Sequence, residues 1–179
     1  MPTPFDPAVA LLRVRGAAGV EHPGGDLLSH LVRTEEILGG WGAPAAVARA
    51  GLLHAVYGTS ALPTSLLALK DRATVRELIG DEAEAIVYRY GACDRAATYP
   101  GLGGATVAFT DRFTGAVEEI GGAEMEAFAL LTVANELDVV RAGALGPDVV
   151  AEIASLVERL ALYAPEAAAR ALAEIRPAG

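Results

Sequence analysis

The chain is poor in several things at once, and each shortage rules something out. Cys93 is the only cysteine, so no internal disulfide can form and the chain carries no mark of an oxidising compartment. Lys70 is the only lysine among 14 basic residues, and the net charge is −9. No basic block runs along the chain. Phosphate neutralisation needs clustered cations, so a nucleic-acid partner is not expected, and an anionic membrane surface is excluded for the same reason. Apolar runs such as Ala127 to Ala134 fall far short of the ~20 residues that span a bilayer. The start, Met1-Pro2-Thr3-Pro4-Phe5-Asp6-Pro7, lacks a charged segment followed by an apolar stretch, so it does not read as a signal peptide. The expectation is a cytoplasmic protein. Arginine-over-lysine usage with abundant Ala, Gly and Val points to a GC-rich bacterial coding sequence.

What is present is apolar. The hydrophobic fraction is 53% over 179 residues, above the usual range of about 45–50%. That fits one folded domain spanning residues 1–179, with an extra buried surface such as a homodimer interface. Punctuation divides it into helices. Asp6 before Pro7 reads as an N-cap with proline in the first turn, and Gly16 as a stop. Gly19 to Gly25 is a loop holding His22. Asp26 caps a second helix to about Leu38, and Trp41 sits in the turn that follows. Pro44 opens a third helix through Val56, apolar or small almost all round and therefore central; Ala50 and Gly51 let its neighbours approach. Helices are predicted at Asp71–Ile79 and Asp81–Cys93, then irregular chain from Asp94 to Gly104. A short β-hairpin is predicted from Thr106–Phe109 and Ala116–Ile120. Long helices follow at about Ala123–Arg141, Pro147–Leu162 and Pro165–Ile175. The fold class expected is all-α, with one small hairpin.

Only three histidines occur, all in the first third of the chain. An antiparallel pair of helices joined at Gly39–Pro44 would bring His30 and His54 together, with His22 on the loop before them. On the long helix at about Ala123–Arg141, Phe128, Leu131, Asn135 and Asp138 recur at helical spacing, which turns Asn135 inward; Glu136 and Asp138 are expected to face solvent. Tyr57, three residues after His54, shares its helical face if the third helix runs that far.

His30, then His54 at the end of a buried helix, then Asn135 in Ala134-Asn135-Glu136-Leu137-Asp138, resembles the layout of HD-domain metal-dependent phosphohydrolases. The resemblance implies an orthogonal helical bundle. It also reveals a loss: Ala55 and Asn135 stand where that superfamily carries its two aspartates. A closer resemblance is to domain of unknown function 6817. It rests on His22-Pro23-Gly24-Gly25-Asp26-Leu27-Leu28-Ser29-His30-Leu31-Val32-Arg33-Thr34, on Trp41-Gly42, and on Ala50-Gly51-Leu52-Leu53-His54-Ala55-Val56-Tyr57-Gly58-Thr59, with Gly80-Asp81-Glu82-Ala83-Glu84 and Asp94-Arg95 further on. It covers roughly residues 20–140. That family's resemblance adds residues rather than a reaction.

Two chemistries fit these residues. In a metal reading His22, His30 and His54, with Asp94 as an oxygen ligand, hold a divalent ion such as Zn or Fe with one open position; the missing aspartates leave that ion's charge poorly balanced. In a metal-free reading His54 and His30 move protons near neutral pH, Tyr57 orients an imidazole or a substrate oxygen, and Arg95, Asn135 and Trp41 bind substrate. The first leads to a hydrolase or oxygenase, the second to a lyase, isomerase, cyclase or dehydratase, in both cases on a small polar molecule. A third reading is a non-catalytic binding or interaction protein that kept the fold and lost the chemistry.

Overall fold

A computed structural model describes residues 6–143 and 145–176. Among them nine α-helices and two short hairpins follow in chain order. The first helix, α1 (Pro7–Val14), starts as expected: the Asp6 carboxylate accepts the Ala8 N–H at 2.8 Å, with Pro7 in the first turn. The segment expected to be a plain loop around His22 is a two-residue ladder, β1 (Glu21–His22) against β2 (Gly25–Asp26). Gly24 has φ +80°, and a Cβ there would meet the Ala142 Cβ at 2.7 Å. Only glycine can therefore lay this turn on the end of the long helix. Asp26 then caps α2 (Leu27–Gly40), accepting from both the N–H and the hydroxyl of Ser29.

The third helix, α3 (Ala45–Leu53), is shorter than its apolar pattern predicts and stops before His54. The reason is local. His54 turns its ring back so that Nδ1–H donates to the Gly51 carbonyl at 2.8 Å, satisfying one of the acceptors that every helix C-terminus leaves orphaned. Gly51 has a second part: a Cβ there would lie 2.6 Å from Leu38 Cδ1. Its absence lets α2 and α3 approach closely enough for their histidines to touch.

The remaining elements are α4 (Arg72–Ile79), α5 (Asp81–Ala92), α6 (Arg95–Thr98), the hairpin β3 (Thr106–Thr110) and β4 (Val117–Gly121), α7 (Gly122–Arg141), α8 (Pro147–Leu160) and α9 (Pro165–Ile175). The hairpin is antiparallel with Ala108 opposite Glu119, one residue displaced from the predicted edges. The stretch after Cys93, expected to be irregular, contains α6 because the Asp94 carboxylate caps it. The core is one cluster centred on α7, whose side chains from Met125 to Asp138 are buried on more than one face. Helix α7 packs against α2, α3, α5, α8 and α9, and α3 packs against α2 and α5. No helix among the described residues is long and apolar enough to cross a membrane.

Candidate histidine site

The site forms where the second turn of α2, the end of α3 and the fourth turn of α7 converge. His30 is wholly buried, His54 nearly so. Their Nε2 atoms lie 3.3 Å apart, and the Asn135 Oδ1 lies 3.1 Å from His30 Nε2. The Nδ1 atoms face away and are committed: His54 Nδ1–H donates to the Gly51 carbonyl, and His30 Nδ1–H donates to the Asp138 carboxylate at 2.7 Å. The Asn135 amide is oriented too, because its Nδ2 donates to Glu136 Oε1 at 3.2 Å.

Hydrogen-bond accounting then gives a definite result. With both Nδ1 atoms protonated and Asn135 Oδ1 turned inward, three acceptors meet around His30 Nε2. Buried polar groups need partners. A proton on the shared Nε2 edge, donating from His30 Nε2 to His54 Nε2 and Asn135 Oδ1, would satisfy all three. The far side of His30 is anionic and already paired. Asp138 carries the fork of Arg33, with Nε at 2.6 Å and Nη2 at 2.9 Å. Burial would push the Asp138 carboxyl up, but hydrogen bonds from His30 and Arg33 outweigh it and hold it below the usual carboxylate range. Burial, reinforced by charge on His30, pushes His54 down to about 3 and His22 down to about 4.

A cavity of about 230 Å³ opens on this cluster, bounded by His22, His54, Ala55, Arg95, Asn135 and Glu136 among others. It is smaller than sites for drug-sized ligands, roughly 300–1,000 Å³. Arg95 donates from Nη1 to Glu136 Oε1 at 3.2 Å and from Nη2 to the Tyr90 hydroxyl at 2.9 Å. The other Glu136 oxygen, Oε2, has no hydrogen-bond partner among the described residues. The Tyr90 ring meets His54 edge-on at 5.1 Å. Close to Arg95, the Tyr99 hydroxyl is buried without a partner.

The expected residues are thus sorted into groups. His22, His30, His54, Asn135 and Arg95 come together. Tyr57 does not: with α3 ending at Leu53, its hydroxyl points away and donates to Glu84 at 3.1 Å. Trp41 lies at the end of α2 and borders other cavities. Asp94 is occupied in capping α6 through Ala97 N–H. The expected four-ligand set also fails at His22, whose ring stacks on His30 at 3.8 Å and 22°. Lone pairs of stacked rings lie in separate, nearly parallel planes and cannot converge on one ion about 2 Å from each.

Two residues expected at the surface belong to the site instead. Glu136 and Asp138 are both buried, because α7 is enclosed on several faces. The signal for Asp138 was present in its place on the Phe128–Leu131–Asn135 stripe.

A resident divalent ion is a poor match for this arrangement. The converging donors, two imidazoles and an amide oxygen, are all neutral, while Asp138 and Glu136 are already paired with Arg33 and Arg95. Among the described residues no three His, Cys, Asp or Glu side chains gather as a metal-ligand group.

Fold and site together define a mainly helical protein with a buried histidine cluster. Residues 11–95 match the family model described as Domain of unknown function (DUF6817), which supports that family over the segment carrying all three histidines. No curated protein matches the chain and no solved structure does.

Proposed function

We propose that this protein is a small-molecule enzyme that works by acid–base chemistry, with the His30–His54 pair holding the working proton. The observation that carries the reading is the 3.3 Å Nε2–Nε2 contact with both Nδ1 atoms already donating. A proton confined there has one way out, along the His54 edge that borders the cavity. His54 Nε2 takes a proton from, or returns one to, a substrate atom seated against it. Asp138 and Arg33 hold the His30 ring so that its Nε2 stays aimed at His54. Arg95, Asn135 and Glu136 orient the substrate; Glu136 Oε2 accepts from a hydroxyl or amine. The wall carries one arginine against two carboxylates, Glu136 and the exposed rim residue Glu21. That balance favours a neutral or amine-bearing polar molecule over a strongly anionic one. Reactions within reach are proton shifts and eliminations, those of a lyase, isomerase, cyclase or dehydratase.

The HD-like layout is part of this reading: His30, His54 and Asn135 meeting at one point supports it, with the metal's role passed to a proton where Ala55 and Asn135 replace carboxylates. Histidine 15N–1H NMR on tag-free, chelator-treated protein tests the proposal directly. It should display slowly exchanging ring N–H signals from His30 Nδ1, His30 Nε2 and His54 Nδ1. Zinc or iron(II) uptake at one equivalent with loss of the Nε2–H signal would overturn the metal-free reading in favour of a metal-dependent hydrolase or oxygenase. Turnover is then sought by 1H NMR on a mixture of small polar metabolites. A compound that binds equally well to wild type and His54→Ala but is never converted would favour the non-catalytic binding protein.

A further inference from the structure

The largest cavity described, about 640 Å³, shares none of its wall with the His54 cavity. It lies between the end of α2 and the end of α7, and its floor includes Asp138. Two arginines reach it. Arg33 uses Nε and Nη2 on Asp138, and Arg141 uses Nε and Nη2 on Glu174. Each guanidinium therefore spends one edge on a carboxylate. Among the described residues, the Nη1 of each has no hydrogen-bond partner. Their side chains are 36% and 46% exposed, so the free N–H groups remain accessible. Trp41 supplies an aromatic wall beside them. Three carboxylates stand near them: Asp138 and Glu174 are each matched by the arginine they pair with, and Glu36, at the rim, is exposed, where water screens its repulsion.

We infer that this cavity is a second binding site, for a small aromatic anion: the ring lies against Trp41 while a carboxylate or phosphate bridges the free Nη1 groups of Arg33 and Arg141. Guanidinium edges are suited to such oxyanions, and an indole face adds stacking area without a charge of its own. Trp41, which the histidine cavity does not use, has its place here.

Trp41 is the only tryptophan in the chain; it borders this cavity and one neighbour, so the Arg141 variant assigns any change in its emission to this site. Excited at the red edge of indole absorption, wild-type protein is titrated with benzoate, phenyl phosphate and neutral benzyl alcohol. At least one of the two anions should change the emission saturably in the low-millimolar range or below. Benzyl alcohol should bind at least fivefold more weakly. Arg141→Met, whose native partner is a surface carboxylate, should weaken the anion at least fivefold and leave the thermal transition in place. Equal responses to anion and alcohol, an unchanged titration in Arg141→Met, or no saturable response to either anion would each overturn the assignment.

Discussion

Two carboxylates are buried to the same degree, Glu84 on α5 and Asp138 on α7, each 1% exposed, and both take an arginine fork. Their surroundings differ in where the hydrogen bonds end. Glu84 receives Arg72 Nε and Nη2 at 2.5 and 2.8 Å, Arg76 Nε at 3.1 Å and the Tyr57 hydroxyl at 3.1 Å. Every donor terminates on the carboxylate, and Glu84 borders none of the cavities described. Asp138 receives Arg33 and His30, but from His30 the chain continues to His54 and on to a cavity edge. A buried charge whose donors are all spent on it holds helices together. A buried charge whose chain of hydrogen bonds runs on through His54 to the histidine cavity can pass a proton. Burial and an arginine partner do not separate the two cases; the open end does.

The sharpest way to break that comparison is a crossed pair of variants. His54→Gln removes the group at the open end and should lower turnover of the substrate by about 10²–10⁴-fold, the usual worth of a positioned acid or base. Its stability should change by about 1–2 kcal/mol, since two hydrogen bonds are at stake, to the Gly51 carbonyl and with His30, and the Gln amide can keep one of them. Glu84→Gln should do the reverse. Removing one partner of a buried ionic cluster costs about 3–5 kcal/mol when the charges left behind cannot reach water. Arg72 and Arg76 are 28% and 44% exposed and re-solvate in part, so about 3 kcal/mol is the expected loss. Turnover per folded molecule should stay at the wild-type level. Urea melts and initial rates on the same preparations decide it: a single pattern of loss in both variants erases the distinction.

A second test uses acid. In the unfolded chain each imidazole takes a proton below about pH 6.5. In the folded protein, burial and the charge on His30 refuse the proton on His54 until about 3 and on His22 until about 4. Between these limits these two rings bind more protons in the unfolded state, so their contribution to stability is full above about pH 6.5 and falls as the pH drops toward the folded values. A fully buried ring contributes about 1.4 kcal/mol per pH unit in that window; half-buried His22 contributes less. Denaturant midpoints taken from pH 6.5 to 5.5, above the range of about 4 where ordinary carboxylates titrate, should therefore slope downward. His54→Gln should remove the larger part of the slope, whereas Tyr57→Phe should leave it intact. A slope indifferent to His54 means the ring is not held neutral by burial.

How much of this could be read beforehand depends on the kind of signal. Start signals are local chemistry, so Asp6-Pro7 and Asp26 marked α1 and α2 correctly, and Gly51 marked the close approach of α2 and α3. The clustering of His22, His30 and His54 followed from one short helix connection. Where reading failed, a periodic pattern was asked to give more than one face. It assigns a single inward stripe to each helix, and α7 is enclosed on several sides, so Glu136 was put outside; Asp138 lies on the stripe itself and was put outside although its position pointed inward. Tyr57 was misplaced because apolar pattern does not mark where α3 ends. The His54 ring caps α3 through Gly51, and the chain beyond Leu53 leaves the helical path. Asp94 was weighed as a ligand and serves as a cap; the same carboxylate chemistry suits both, and only the downstream Ala97 N–H decides between them.

The smallest expected effect is the most direct on the Tyr57 question. Tyr57 is 3% exposed, and burial together with the Glu84 charge pushes its phenol up, so the hydroxyl keeps its proton throughout the physiological range and donates to Glu84. Tyr57→Phe removes that donor and leaves the ring's packing. Because both Glu84 oxygens still receive arginine, the carboxylate is not orphaned, and the cost should be about 1 kcal/mol, one ordinary hydrogen bond. Neither kcat nor its pH profile should move, since no bond runs from this hydroxyl to His54. A fall in kcat of tenfold or more with stability unchanged would place Tyr57 on the catalytic side. The boundary between the cluster that ends on its carboxylate and the one that opens on a cavity would then have to be redrawn around α3.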